Sequence, residues 1–132
     1  ARPLALDDLR GVAPERFGAL RFRLIPSHRL LVNRFAIAPL WRAHAEEADP
    51  AAAAMPAAVP ETLLVWRRDD VVFHRAVEAD EARWLLRLAA ADGLLFETLC
   101  ADLAETEADE AAAARAFELA ARWIGEGLLV RL

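Results

Sequence analysis

The sequence feature that most constrains the fold is a change in hydrophobic periodicity within residues 62–132. Apolar residues recur there first every two residues and then about every three and a half. Two short runs rich in β-branched and aromatic residues, 63–67 and 71–75, flank the polar tripeptide 68–70 (Arg-Asp-Asp). Such an arrangement predicts a β-hairpin with a tight turn. After the hairpin, apolar residues recur at helical spacing in three consecutive segments. The predicted order is therefore two strands followed by three helices.

Each of the three predicted helices carries boundary signals. Asp80 is expected to be the N-cap of the first helix, and Gly93 to take the left-handed position after its end. Thr106 or Asp109 is expected to cap the third, and residues 128–130 form an extended segment that can return to the sheet. The apolar face of the second helix consists of Leu95, Phe96, Leu99, Cys100 and Leu103. The apolar stripe of the third consists of Ala113, Phe117, Ala120 and Ile124, with Leu119 and Trp123 beside it.

The first half of the chain is predicted to add strands and one short helix. Residues 7–18 form a helical or irregular lead-in, and residues 20–24 alternate apolar and charged side chains as a half-buried strand does. A second strand is expected over 29–35, and a short helix from Pro39 to about Glu47. Residues 49–60 contain three prolines, which deny the segment a stable helix. This connector is either a surface loop or a linker.

These elements together predict an α+β fold in which a small antiparallel sheet precedes a three-helix, winged-helix-like unit. We expect a single domain over residues 1–132, divided into a strand-rich part (1–48), the connector (49–60) and the hairpin with its helices (61–132). The chain lacks an initiator Met, and we expect it to be the C-terminal part of a longer protein. A winged-helix-like unit can bind DNA, bind a peptide or serve as a scaffold.

The distribution of charge disfavours the DNA-binding alternative. Residues 78–132 contain twelve acidic residues and five arginines, whereas residues 1–77 contain nine acidic residues and eleven arginines. Affinity for duplex DNA comes largely from basic side chains that contact phosphates. Helices with an acidic excess would repel that polyanion. No apolar run is long enough to span a membrane, and the first residues show no signal-peptide pattern.

No pattern in the sequence predicts a catalytic or metal site. The three histidines, His28, His44 and His74, have spacings that match no ligand motif. Cys100, the single cysteine, lies on an apolar helix face, where burial raises the pKa of a thiol and makes it unreactive. We therefore predict no catalytic residue, no metal and no cofactor, and a reducing, cytoplasmic location.

Peptide binding suits the predicted hairpin better, because an exposed edge strand can accept an incoming strand through backbone hydrogen bonds. Arginines line the hairpin at Arg67, Arg68 and Arg75, and more lie on the earlier strands. An acidic peptide would complement them. The alternative is that these arginines form the solvated face of a half-buried sheet, and the sequence leaves both interpretations open.

A family resemblance rests on three runs, 24–31 (LIPSHRLL), 35–41 (FAIAPLW) and 61–69 (ETLLVWRRD), and continues through 82–88 and 123–129. In order and spacing these runs resemble the C-terminal half of the HvfC/BufC family, whose members are often labelled as DNA-binding domains and are similar to MbnC of methanobactin biosynthesis. The resemblance covers nearly the whole chain.

The resemblance implies a non-enzymatic partner protein that forms a heterodimer with an iron-dependent oxidase of the TIM-barrel type. That oxidase converts cysteines of a precursor peptide into copper-binding heterocycles, and the partner helps to hold the precursor's leader. The hairpin and helices also resemble the PqqD-like recognition element, in which the leader adds as a strand beside the hairpin and packs against the third helix. The peptide-binding residues that this implies are Val71, Val72, Phe73, His74, Arg75, Arg115, Leu119 and Arg122. Family members usually carry a helical N-terminal half, which this chain lacks. The alternative function is that of a DNA-binding winged-helix regulator.

Overall fold

The computed structural model describes residues 2–33, 60–105 and 108–132. The predicted end of the second strand at Phe35, the short helix from Pro39 to about Glu47, nearly all of the proline-containing connector and the Thr106 cap lie outside these residues. None of the helices in the described ranges has both the length and the apolar composition of a membrane-spanning helix.

The predicted α+β class is confirmed, since helices and two three-stranded antiparallel sheets are both present. The narrower description as a winged-helix-like unit stays a prediction. The strands are β1 (Arg21–Leu24), β2 (His28–Asn33), β3 (Glu61–Arg68), β4 (Val71–Val77), β5 (Leu94–Leu95) and β6 (Leu129–Arg131). The α-helices are α1 (Ala79–Ala90), α2 (Phe96–Ala104) and α3 (Asp109–Gly125). Two short 3₁₀ helices, Leu6–Leu9 and Pro14–Arg16, form the predicted lead-in.

The chain divides into two compact units whose boundaries differ from the predicted subdivision. The first unit combines Ala1–Pro26 with Arg83–Leu132, and the second is Ser27–Ala82. The first unit is discontinuous because β1 pairs with strands that lie more than sixty residues later in the chain. Hydrophobic periodicity along a chain cannot indicate such long-range pairing. The prediction of one domain stays a prediction.

In the second unit, β2, β3 and β4 form a sheet with β3 at its centre. Strands β3 and β4 are joined by the predicted hairpin turn, in which Asp69 takes a φ of 54°. Aspartate tolerates this left-handed conformation better than most residues other than glycine. At the middle of β3, Leu63 and Leu64 are both 0% exposed. Because consecutive strand residues point to opposite faces, both faces of the sheet are covered at this position.

In the first unit, β1 lies between β5 and β6. The C-terminal segment is extended, as predicted, and it pairs with β1 in a sheet that does not contain the hairpin, with Phe22, Arg23 and Leu24 opposite Arg131, Val130 and Leu129. Gly93 has a φ of 95°, as predicted, and a Cβ atom there would lie 2.5 Å from Cδ1 of Leu132. The positive φ favours glycine here, whereas the contact with Leu132 involves the end of an exposed side chain that can move.

Two predictions about the helices were wrong in detail. Helix α1 begins at Ala79, and Asp80 lies in its first turn, where its carboxylate accepts a hydrogen bond from the amide of Glu81 at 2.7 Å. In α3, Phe117 is 50% exposed and does not belong to the buried stripe. The buried stripe of α3 is Ala112, Ala116, Leu119 and Trp123, flanked by Ala120 and Ile124. The many alanines of this helix allow several stripes of similar hydrophobicity, so tertiary packing decides which one is buried.

Candidate peptide-binding edge

Strand β4 forms one edge of the second unit's sheet. In the part of the chain that the structure describes, it pairs with β3 and with no other strand. At its N-terminal end the side chains of both faces are exposed, with Val72 at 61%. Beside them in β3, Arg67 and Arg68 are also exposed. The tip of the hairpin thus combines exposed apolar residues with exposed cations on both faces.

The register shows which backbone groups of β4 point outward. Arg68 and Val71 flank the two-residue turn as paired residues, so they exchange hydrogen bonds with each other. Alternation along the ladder then directs the N–H and C=O groups of Val72, His74 and Ala76 away from β3. A hydrogen bond on the other side of β3 supports this alternation. The amide of Arg67, the neighbour of Arg68, points away from β4 and donates to the carbonyl of Ser27 at 2.9 Å, in the direction of β2.

Arg75 lies on β4, as the sequence predicted, and its side chain is held by a carboxylate at the start of α1. Its guanidinium donates two hydrogen bonds to the carboxylate of Glu81, at 2.6 and 3.0 Å. Its side chain is 14% exposed and that of Glu81 only 2%. Arg75 therefore joins β4 to the start of α1, and little of its charge is offered to an approaching peptide. Six residues separate the pair, a spacing that no helical or strand period indicates.

The aromatic residues of the hairpin pack across the two strands. Trp66 and Phe73 lie opposite each other, with ring centroids 5.4 Å apart and ring planes inclined by 21°. Trp66 is buried, and Phe73 is partly exposed. A stacked pair of this kind stiffens the hairpin near its tip. Phe73 therefore presents a supported apolar surface on the edge strand.

The other predicted binding residues belong to α3 in the first unit, whereas β4 belongs to the second. Arg115 pairs with Glu118 at 3.1 Å, and Arg122 pairs with Glu126 at 3.4 Å. Leu119 is only 1% exposed and forms part of the core of the first unit. The sequence analysis placed Leu119 beside the apolar stripe of α3, and the structure places it within the stripe. A peptide that contacted α3 would therefore meet its arginines and not Leu119.

An apolar groove in the first unit was not predicted from the sequence. It has a volume of about 320 Å³ and lies between the first 3₁₀ helix and α3. Phe117 packs against Phe17 and Phe96, with centroid distances of 5.9 and 4.9 Å. These phenylalanines come from three separate parts of the chain, and no local pattern in the sequence indicates that they meet.

Neither a metal-ligand cluster nor an activated thiol is found among the described residues. In those ranges, no group of three or more His, Cys, Asp or Glu side chains is placed to hold a metal ion. Burial raises the pKa of the Cys100 thiol, as predicted for its position on α2. A thiol with a raised pKa carries little of the nucleophilic thiolate at neutral pH.

Comparison with known proteins gives no further identification, because no family model, no curated protein and no solved structure matches the chain.

Proposed function

We propose that this chain is a non-catalytic recognition subunit that binds the leader of a precursor peptide, with β4 as the strand that receives it. The observation that carries the proposal is the outward direction of the backbone groups of Val72 and Ala76, at an edge where Val72 is largely exposed. An extended peptide can continue the sheet by pairing with these groups. Backbone pairing supplies affinity, and side chains on either face supply specificity.

The charges and apolar groups near this edge indicate what the peptide carries. Arg67 and Arg68 are exposed on opposite faces of the hairpin. On β4, the edge strand beside these arginines, apolar side chains are exposed at Val71, Val72 and Phe73. A leader that alternates apolar with acidic residues would match both features. Rim charges of this kind mainly increase the rate of association and help to select the partner.

The wider setting of the proposal comes from the HvfC/BufC resemblance. An iron-dependent oxidase of the TIM-barrel type would hold the metal and modify the precursor's cysteines in the cytoplasm. This chain would contribute no cofactor and would help to present the peptide. Its heterodimeric contact with the oxidase belongs to the same proposal.

Isothermal titration calorimetry with a synthetic leader tests the binding edge. The leader is taken from a short cysteine-rich precursor gene next to an oxidase gene. We expect Val72→Pro to weaken binding at least about tenfold, because proline removes an outward N–H group that an added strand would use. Edge strands tolerate proline where the N–H faces outward, so the sheet itself should persist.

Val32→Pro is the matched control. Val32 is a valine of similar exposure, 65%, on β2 at the opposite edge of the same sheet. Val32 lies opposite Thr62. Its two neighbours in β2 form the hydrogen-bonded pairs with β3, so the N–H of Val32 also points outward. This variant should bind the leader as the parent chain does. Equal weakening by both substitutions would contradict a specific role for β4.

A duplex-DNA titration tests the alternative. The two arginines with which α3 would contact DNA phosphates, Arg115 and Arg122, both pair with carboxylates on or next to the same helix. We therefore expect no binding of the chain to duplex DNA, even at low salt. DNA binding that weakens steeply as the salt concentration rises, together with no binding of the leader, would favour the DNA-binding function over the peptide-binding function.

A further inference from the structure

A polar cleft in the first unit has no role in the proposed function. It has a volume of about 420 Å³ and is formed by the two 3₁₀ helices, the residues before β1 and the end of β6. Its charged lining residues are Asp8, Arg16 and Arg131. A second cleft, of about 390 Å³, shares Asp8 and Arg131 with the first and adds Arg2. Three arginines therefore surround one carboxylate, in a chain whose formal net charge is −5.

The carboxylate of Asp8 is already occupied. The guanidinium of Arg2 donates to both of its oxygens, at 2.6 and 2.9 Å, and the amide of Ala5 donates to Oδ2 at 2.8 Å. The hydrogen bond from Arg2 lowers the pKa of Asp8 most, and the charge of Arg131 lowers it further from a distance. Asp8 is therefore ionised at neutral pH, with Arg2 as its counter-charge.

Arg16 and Arg131 are the cations that this pairing leaves over. Within the residues that the structure describes, neither forms an ion pair or a side-chain hydrogen bond, and both are exposed. Their backbones are nevertheless fixed. The amide of Arg16 donates to the carbonyl of Ala13 at 2.9 Å, and Arg131 is paired with Phe22 in the ladder of β1 and β6. A cleft with an excess of one sign of charge concentrates ions of the opposite sign.

The charge and size of the cleft fit a phosphate monoester. A guanidinium binds phosphate through two parallel N–H donors. A phosphate monoester carries close to two negative charges at neutral pH, so it balances both arginines, whereas a single carboxylate would balance only one. Small apolar side chains at Val12, Ala13 and Ala19 line the remainder of the cleft. Its volume exceeds that of one phosphate group and leaves room for the organic part of an ester.

We propose that the cleft between Arg16 and Arg131 binds a small phosphate monoester through its dianionic phosphate group. The site lies in the first unit, away from the strand pairing at β4, so it does not rest on the proposed function. A bound ester would contact both chain segments of this unit. It should therefore also raise the midpoint of thermal unfolding as its concentration increases.

Calorimetric titration of the full chain with phenyl phosphate tests the site, at low ionic strength because salt screens exposed charges. We expect saturable binding of one molecule per chain. Arg16→Gln and Arg131→Gln should each weaken binding about fivefold, the upper end of what exposed ion pairs contribute. The double variant should lose most of the binding. Amide resonances of Gly11, Val12 and Ala19, which line the cleft, should shift during the titration.

Arg10→Gln is the matched control, because it removes the same charge from an exposed arginine between the two 3₁₀ helices that does not line the cleft. It should bind phenyl phosphate as the parent chain does. Circular dichroism checks that each variant folds, and Arg16→Gln alone suffices if Arg131→Gln does not.

Two results would overturn the proposal directly: a folded parent chain that shows no saturable binding, or equal weakening by Arg10→Gln and Arg16→Gln. A third would assign the cleft to an acidic peptide instead, namely binding of the synthetic leader that Arg16→Gln and Arg131→Gln weaken, without binding of phenyl phosphate. Leader binding that neither variant changes, together with binding of phenyl phosphate, would support both proposals as separate sites.

Discussion

At the scale of single residues, the pair formed by Arg75 and Glu81 joins two elements of the second unit. Glu81 is the only buried charged residue in the part of the chain that the structure describes. A buried carboxylate is tolerated when a well-placed partner satisfies it, and the bidentate geometry here does so. The pair links the edge strand to the first turn of α1, so it also determines where β4 lies.

Breaking this pair should destabilise the chain strongly. We expect Glu81→Gln to lower the free energy of unfolding by about 3–5 kcal/mol, because it removes the buried carboxylate to which the Arg75 guanidinium donates two hydrogen bonds. Urea unfolding measures the change. Glu118→Gln neutralises a carboxylate that pairs with Arg115 and is 68% exposed, and it should cost no more than about 1 kcal/mol. Equal losses in the two variants would show that burial of the Arg75–Glu81 pair carries no special cost.

At the scale of elements, the hairpin and α3 show how far a local pattern determines structure. The turn at Asp69 and Asp70 was predicted correctly because turn chemistry and strand propensity agree there. The buried face of α3 was predicted wrongly, since alanines surround the helix and weaken its amphipathic signal. Its packing against α2 selects Leu119 for the core and leaves Phe117 at the rim of the groove.

Two truncations on α3 test this assignment. Leu119→Ala should lower the free energy of unfolding by about 2–5 kcal/mol, because it leaves a cavity in a closed core. Phe117→Ala should cost clearly less, since half of that side chain is already exposed to solvent. Thermal unfolding of both variants supplies the comparison. A larger loss of stability for Phe117→Ala than for Leu119→Ala would show that Phe117 belongs to the buried stripe of α3, as the sequence predicted.

At the scale of the whole molecule, the first unit is held together by contacts between its two chain segments. β1 pairs with β6, and the amide of Leu4 donates to the carbonyl of Leu129 at 2.7 Å. Leu128 and Leu129 are fully buried. The last residues of the chain are therefore a structural part of this unit, because β1 would otherwise retain only the two-residue strand β5 as a partner.

Ending the chain after Gly127 should accordingly disrupt the first unit. We expect the loss of β6 to abolish or broaden its cooperative unfolding, because the deletion removes three buried apolar residues and one side of the β1 ladder. Differential scanning calorimetry and amide hydrogen exchange of β1 measure the effect. Leu132→Ala, which alters an exposed terminal side chain, is the control. Unchanged protection of β1 in the shortened chain would contradict this role of β6.

The sequence by itself determined the elements whose signals are local. Strand alternation, turn residues, helical spacing and Gly93 predicted most described helices and strands to within a few residues, and together they predicted the α+β class. These features depend on neighbours within one or two turns of chain, which a single sequence displays directly. The proposed binding strand was predicted for the same reason.

Only the tertiary structure decided which residues leave the surface and which segments pair over long distances. It placed Arg75 against Glu81, buried Leu119, brought β6 to β1 and assembled the groove around Phe117. Each of these outcomes depends on contacts between side chains or strands from different elements. A one-dimensional pattern holds no information on such contacts, because several arrangements of the same amphipathic elements bury similar apolar area, and packing selects among them.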